Sequence, residues 1–442
     1  MLLQRTKRHF SCGKFTVSSL FSRLIVSHSA YYVPSLFPAL SIPARMRAKA
    51  HYSGNNVGIA MIDSGFIPHP DLTKPDNRIR CYYDAVTQQE SPLPPEQPEV
   101  YSWHGTMTAC TAAGNGYLSR GLYSSLAYKA HVVLVRTMDE HGKIPTARIV
   151  HAMEWCLANA KKFGINIINL SVYADEISID PTHPLNNLVE EASERGIVVV
   201  AASGNNPRAP LRPPASAPSA ITVGGLDDKN TLGVRDNDLY TSSFGKAADG
   251  MIKPEVIAPA IWLPAPILYG TAVHQEASAL VAMDSMTDEM LMKTLPMLLA
   301  HTQLPLELLR SKRPAEVRKA IEERLKAEKI ISPYYKHVDG TSFAAPIVCS
   351  VVAQMMEVNP HLTPQEIKDM LIATARPLPN YPREPQGYGV VRATSAVEAA
   401  IYGLKNVLSS SDIETTNEVA DEYIEQMEAH EPVIAQQLAQ QP

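Results

Sequence analysis

The sequence predicts an α/β protein with a doubly wound, mostly parallel sheet, helices on both faces of the sheet and one helical insertion. Short apolar runs rich in Val and Ile alternate along the chain with longer helical stretches. The runs lack polar alternation, which is typical of strands that are covered on both faces. Strand–helix alternation puts the functional loops at the carboxyl ends of the strands. The predicted strands span residues 57–62, 131–135, 165–170, 197–202 and 220–223.

The helices are predicted from apolar spacing and from capping residues. The clearest start is Thr363, an N-cap followed by Pro364 in the first turn and by Glu366, which completes the pattern of a capping box. The predicted helices span residues 104–113, 146–163, 184–195, 342–358, 363–375 and 394–402.

Composition excludes several classes of protein. The 442 residues are 45% hydrophobic and 19% charged, enough to bury a large core without metal or disulfide support. The net charge of −5 argues against a nucleic-acid partner. No run approaches 18 apolar residues, so no transmembrane segment is expected. The five cysteines form no CxxC pair, which predicts isolated thiols and a cytoplasmic location, with secretion as the alternative.

Charge divides the chain into three parts. Residues 1–62 hold eight Lys or Arg and no acidic residue. Residues 1–50 are therefore predicted to be a basic leader that is either disordered or the result of a start placed too far upstream, with Met46 as the true start. No Lys or Arg follows Lys405, which predicts a solvated acidic tail over residues 406–442. A catalytic domain is expected between them, over residues 51–405.

Three residues at the ends of predicted elements carry the chemistry. Asp63 follows the first strand, His104 opens a helix of small residues, and Ser342 opens another helix after a glycine-bearing turn. Each alone has an ordinary structural explanation, such as an N-cap for the serine. Together, in this order, they fit a nucleophile, its base and the carboxylate that orients the base.

These residues resemble the subtilisin-like serine proteases, or subtilases. The resemblance implies that Asp63 orients the base, His104 is the base and then the acid, and Ser342 is the nucleophile. It also implies that Asn205 and the Ser342 backbone N–H hold the oxyanion. The motifs are I-D-S-G at 62–65, H-G-T at 104–106, N-L-S at 169–171, A-A-S-G-N at 201–205, P-S-A-I-T-V-G at 218–224, K-P-E-V-I-A-P at 253–259 and G-T-S-F-A-A-P at 340–346.

The resemblance also implies a substrate groove beside the nucleophile. Its expected residues are Ser171, Val172, Tyr173 and Gly204, although the glycine usual in the groove strand is missing. Tyr173 either narrows the S1 pocket or turns outward as a rim.

An insertion of about 70 residues, near 264–333, has no counterpart in the minimal family domain. Helices are predicted at residues 276–292 and 314–330. The first helix is rich in methionine, which suits flexible core filling, or alternatively an adaptable lid beside the active site.

The predicted function is a serine endopeptidase that acts on protein or peptide substrates through an acyl-enzyme. The alternative is a catalytically silent subtilase fold that binds peptides. The chemistry needs no cofactor. Structural calcium at Asp71 is possible in this family, but Arg120 in the expected partner loop is a poor neighbour for a cation, so no metal ligand is predicted. The sequence leaves the oligomeric state open.

Overall fold

A computed structural model describes residues 39–49, 51–178, 180, 182–247, 249–404 and 407 of the chain. The strands are β1 Gly58–Asp63, β2 Ile79–Asp84, β3 Gln89–Ser91, β4 His131–Arg136, β5 Ile167–Leu170, β6 Val198–Ala202, β7 Ile221–Asp227, β8 Asp238–Leu239, β9 Gly245–Lys246, β10 Ile252–Lys253, β11 Val256–Pro259, β12 Leu263–Pro266, β13 Ile330–Ser332 and β14 Tyr335–Val338.

The helices pack on both sides of the sheet. They are α1 Ile42–Arg45, α2 Pro70–Thr73, α3 Ser102–Ala113, α4 Thr146–Phe163, α5 Pro184–Glu194, α6 Ala272–Ser285, α7 Asp288–Leu298, α8 Pro314–Ala327, α9 Thr341–Val358, α10 Pro364–Thr374, α11 Arg383–Gln386 and α12 Ala393–Tyr402. Three 3₁₀ turns lie at Tyr117–Ser119, Leu299–His301 and Leu306–Arg310.

The main sheet has the strand order β11-β7-β6-β5-β1-β4-β2-β3, with β8 added beside β7. All of its neighbours are parallel except β3 and β8, so the predicted doubly wound fold is confirmed. The chain leaves β1 toward β2 and β4 and later returns to β5 on the other side of β1. This reversal opens a crevice at the carboxyl end of β1, where ligands of such sheets bind.

Alternating side chains of β1 enter two separate cores. Ile59 and Met61 face the core that contains α3 and α9. Ala60 and Ile62 face the core under α4 and α5. The burial of every β1 residue explains why the strand is a continuous apolar run.

The predicted elements exist, but several boundaries were wrong. Helix α3 begins at Ser102, so His104 is its third residue rather than its first. Helix α9 begins at Thr341, so Ser342 is its second residue. The capping box of Thr363 and Glu366 is confirmed. Strands β2 and β11 were missed, because β2 carries an exposed Arg80 and β11 lies just after Pro254 and ends at Pro259, in a segment that reads as irregular.

The expected leader boundary at residue 50 is also wrong, because residues 39–49 pack against the body. Ile42 and Met46 are buried in the main core. The Arg45 side chain is fully buried and forms an ion pair with Asp228, with a shortest distance of 2.5 Å. A start at Met46 would remove this pair. The rest of the predicted leader, and the acidic tail apart from residue 407, lie outside the described residues.

The insertion forms a small unit with its own apolar core, framed by a sheet in the order β12-β14-β13. Its first predicted helix is two helices, because Thr287 caps a new helix by accepting a hydrogen bond from the Met290 N–H. Its second helix ends at Ala327, and Ile330 begins β13. The methionines divide: Met283 is buried in this core, whereas Met290 and Met297 are exposed.

One described helix, Thr341–Val358, is long and apolar enough to cross a membrane by composition alone. It is the central helix of the main core, and 83% of it is buried inside the protein. The four cysteines in the described ranges, Cys81, Cys110, Cys156 and Cys349, are buried free thiols.

Candidate active site

Asp63 lies at the carboxyl end of β1 and is fully buried. Its Oδ1 accepts hydrogen bonds from the Ser64 N–H at 2.6 Å and from His104 Nδ1 at 2.7 Å. Its Oδ2 accepts the Thr108 hydroxyl at 2.9 Å. Both carboxylate oxygens are therefore held in place, which fixes the direction of the bond to His104.

His104 projects from the first turn of α3, and 22% of its side chain is exposed. Burial disfavours the charged imidazolium, but the negative charge of Asp63 and the hydrogen bond to it outweigh burial and raise the pKa of His104 above 6.5. The bond through Nδ1 leaves Nε2 as the atom able to exchange a proton with a reacting group.

Two glycines allow the strand end and helix α3 to meet. A Cβ at Gly105 would lie 2.4 Å from the Gly65 carbonyl oxygen, and a Cβ at Gly65 would lie 2.4 Å from the Tyr101 ring. No side chain fits at either position without moving backbone or a packed ring. The glycines that follow Asp63 by two residues and His104 by one thus have a steric cause, which the sequence alone does not reveal.

Ser342 lies in the first turn of α9 and is half-buried. The ring of the next residue, Phe343, lies 5.7 Å from the His104 ring, which places this turn beside the imidazole. Within the described chain, no hydrogen bond joins the Ser342 hydroxyl to His104. Such bonds often form only when substrate is present, and a rotation of the serine side chain changes them.

Asn205 follows β6 and faces the start of α9. Its Oδ1 accepts hydrogen bonds from the Thr341 N–H at 2.9 Å and from the Thr341 hydroxyl at 3.0 Å. Because two donors hold Oδ1, the amide orientation is fixed and Nδ2 is the end that can donate elsewhere. Two nitrogen atoms lie near the point where a Cβ of Gly340 would stand. Asn205 Nδ2 is 3.5 Å from this point, and the backbone nitrogen of Ser342 is 3.8 Å from it.

The space above Gly340 is therefore a small concavity bordered by two N–H donors. Gly340 has a φ of +132°, which favours glycine, and any side chain there would fill the concavity. Asn205 Oδ1 lies 3.7 Å from the same point but is occupied by the two Thr341 donors, so Nδ2 and the Ser342 N–H are the groups there that can stabilise a developing oxyanion at this helix N-terminus.

Two threonine hydroxyls that support these residues were missed by sequence reasoning. Thr108 lies one turn after His104 on α3 and donates to Asp63. The Thr341 hydroxyl accepts the Gly204 N–H at 3.2 Å and donates to Asn205. The i, i+4 spacing of His104 and Thr108 was the available signal for the first, since it places both on one helix face.

Of the four residues expected to bind substrate, Ser171 contacts Ser342 and Gly204 directly precedes Asn205. The Ser171 hydroxyl donates to the Ser342 carbonyl at 2.9 Å. Gly204 has a φ of +103°, and a Cβ there would lie 2.8 Å from the Ser243 hydroxyl. Val172 packs partly against the core under α4 and α5.

Tyr173 turns outward. Its side chain is 54% exposed, and the Arg212 guanidinium lies 5.3 Å from the ring centroid. Of the two alternatives left open by the sequence, this exposure favours the surface rim.

The residues at the possible calcium position do not fit a calcium ion. Asp71 already accepts the Leu118 N–H at 3.2 Å through Oδ1 and the Tyr335 hydroxyl at 2.7 Å through Oδ2. The Arg78 guanidinium donates to the carbonyls of Asp71, Ala113 and Ala130, so a protein cation takes oxygens that a metal would need.

Asp71 also belongs to a cluster with His69 and Cys110, whose ligand atoms lie within 4.8 Å of one another. Burial raises the pKa of the Cys110 thiol well above its ordinary value, which opposes the thiolate that a metal requires.

The comparisons with known proteins agree with this geometry. A family model described as the subtilase family matches residues 54–390. The serine protease AprX of Bacillus subtilis (strain 168) is 28% identical over 327 residues, covering 72% of this chain and 61% of AprX. The minor extracellular protease Epr of the same organism is 31% identical over 194 residues, covering 43% of this chain and 26% of Epr.

The chain spans about three fifths of the length of AprX and a smaller part of Epr. Among solved structures, fervidolysin from Fervidobacterium pennivorans, described as a keratinolytic enzyme related to subtilisin, superposes with a TM-score of 0.53 at 21% identity, covering 78% of this chain and 43% of that one. That likeness supports the fold alone. The family model spans most of the chain, and the chain belongs to the subtilase family.

Proposed function

We propose that the protein is a serine endopeptidase whose triad is Asp63, His104 and Ser342, with Asn205 in the oxyanion hole. The observation that carries the proposal is the 2.7 Å hydrogen bond from His104 to a buried Asp63, beside the helix turn that bears Ser342. The names of AprX and Epr as proteases support the same reaction class. The substrates proposed are proteins or peptides.

The proposed reaction is acyl transfer in two halves. His104 Nε2 takes the proton of the Ser342 hydroxyl while Oγ attacks the scissile carbonyl carbon. The negative charge on the carbonyl oxygen is met by Asn205 Nδ2 and the Ser342 N–H, and Asp63 stabilises the imidazolium. His104 then gives the proton to the leaving amine, the C–N bond breaks, and water releases the acyl group by the same steps.

Helix α9 contributes to this chemistry through its position. Its first turn brings the Ser342 N–H to the site, and the positive end of the helix dipole favours negative charge there. The Ser171 hydroxyl bond to the Ser342 carbonyl further fixes the turn that carries the nucleophile.

Two location hypotheses follow from different observations. Buried, unpaired cysteines favour a reduced compartment and hence the cytoplasm. The name of Epr as an extracellular protease favours secretion. Fractionation of cells that express the full chain distinguishes the two.

The proposed activity is tested with fluorescently labelled casein and the full-length protein. We expect hydrolysis that disappears in Ser342→Ala, while circular dichroism of the variant stays unchanged. A folded wild-type protein that binds peptides as well as Ser342→Ala does, but cleaves none, would overturn the proposal in favour of the silent binding module.

A further inference from the structure

A cavity of about 330 Å³ lies apart from the active site, and none of the proposed catalytic residues lines it. Its walls come mainly from four parts of the chain: residues 45–47 at the end of α1, the end of β7 with the loop after it, the segment after α10 and the first half of α12. Arginines and apolar side chains dominate these walls, and representatives are Arg47, Leu232, Arg376, Leu378, Val391 and Arg392.

The cavity carries an excess of positive charge. Five arginines and two carboxylates, Asp228 and Glu398, line it. Both carboxylates already have partners: Asp228 pairs with Arg45, and Glu398 pairs with Lys49 at 2.6 Å.

Three of the arginines that carry this positive charge, Arg47, Arg376 and Arg392, lie close to one another. Burial, together with the charges of Arg376 and Arg392, lowers the pKa of Arg47. Among the residues that the structure describes, no carboxylate lies within ion-pair distance of Arg376 or Arg392. Such a cluster of like charges beside apolar walls suits an anionic ligand with apolar groups.

The chain itself supplies a segment of that chemistry. Residues 412–431 hold eight carboxylates and no Lys or Arg. Apolar residues are interspersed among the carboxylates: Ile413, Val419, Tyr423, Ile424 and Met427. The basic segment at the other end of the chain has the wrong charge for this cavity.

The geometry allows residues 412–431 to reach the cavity. Helix α12 starts at the cavity wall and ends at Tyr402, ten residues and about 15 Å farther on. Residues 403–412 span up to about 33 Å when extended, enough to turn back along the helix. Attachment to the same chain also gives the segment a high effective concentration at the cavity.

We propose that residues 412–431 dock in this cavity, with carboxylates paired to Arg376 and Arg392 and apolar side chains against its walls. The docked segment joins α12 to residues 45–47 and holds both ends of the folded body together. This proposal does not depend on the protease activity.

The test is photo-cross-linking in the full-length protein, with benzoylphenylalanine in place of Tyr423. We expect cross-links within one chain to the cavity walls, at residues such as Leu232 and Leu378. R376E/R392E lowers their yield about tenfold, the loss expected for two surface ion pairs. The control R310E/K312E makes the same charge change on exposed residues of the insertion and leaves the yield unchanged.

Two further variants keep the test independent of any folding defect in R376E/R392E. Neutralising the eight carboxylates of residues 412–431 to Asn or Gln leaves the body intact and also lowers the yield. Adding E418K/E422K/E425K to R376E/R392E restores the cross-links. Cross-links to another surface, cross-links between isotopically distinct chains, or a yield that R376E/R392E does not change would overturn the proposal.

Discussion

The Thr341 hydroxyl offers a sharp test of how the oxyanion site is built. It donates to Asn205 Oδ1 at 3.0 Å and accepts the Gly204 N–H at 3.2 Å. Thr341→Val keeps the shape and removes both bonds, while the Thr341 backbone N–H still holds Oδ1 at 2.9 Å. Asn205 therefore keeps one of the two donors that orient it.

The magnitude follows from the net value of the bond that Asn205 loses. One hydrogen bond is worth ~1 kcal/mol, which corresponds to about fivefold in kcat if it is lost only in the transition state. Losing the Asn205 donor altogether, as in Asn205→Ala, costs ~10²–10³ in kcat, the value known from a subtilisin. Loss of the half-buried bond to the Gly204 N–H lowers the free energy of unfolding of Thr341→Val by ~1 kcal/mol.

The assay is a double-mutant cycle on kcat for casein hydrolysis, with urea unfolding measured in parallel. We expect Thr341→Ser to stay within about twofold of wild type, since a serine hydroxyl can make both bonds. In the Asn205→Ala background, Thr341→Val has no further effect on kcat, because the hydroxyl acts through the amide. A full additional fivefold loss in that background would refute the reasoning.

Three further predictions concern the base, its support and metal dependence. The rate rises with pH as His104 loses its proton, with a midpoint above 6.5. Asp63→Asn removes the negative charge that raises the pKa of His104, so the midpoint moves to lower pH. A midpoint that does not move in the pH profile of this variant contradicts the assignment of His104 as the base. Thr108→Val lowers kcat about fivefold with little change in KM, because the Thr108 hydroxyl positions Asp63. Thr108→Ser keeps the hydroxyl and therefore keeps kcat. Equal losses of kcat in both variants would show another cause. EDTA leaves the rate and the melting temperature unchanged, because Arg78 and other hydrogen-bond donors already occupy the oxygen atoms around Asp71. A fall in the rate or in the melting temperature that added Ca²⁺ reverses would contradict this prediction.

The sequence predicted the parallel sheet and the main helices because buried strands and capped helices have local signals. The apolar run before Asp63 and the capping box at Thr363 are of this kind. Strand β2 was not predicted, because its pairing with β4, rather than its own composition, makes it a strand. The break between two helices at Thr287 was not predicted, because a methionine-rich run continues across it.

The site was predictable where residue type implies chemistry. Asp63, His104 and Ser342 could be predicted because a triad needs those three types, and Asn205 followed from the family resemblance. Thr108 and Thr341 could not, because a threonine in a helix has many structural uses and only the folded contacts identify this one. The outward turn of Tyr173 could not be predicted either, because its ring lies beside Arg212, which is distant in sequence.

The central claim is that His104, held by Asp63, activates Ser342 as a nucleophile. The most direct measurement treats the full-length protein with a fluorophosphonate probe and locates the label by mass spectrometry. We predict a label on Ser342 that disappears in Ser342→Ala and forms far more slowly in His104→Ala. Labelling at another residue, or an unchanged labelling rate in folded His104→Ala, would contradict the claim.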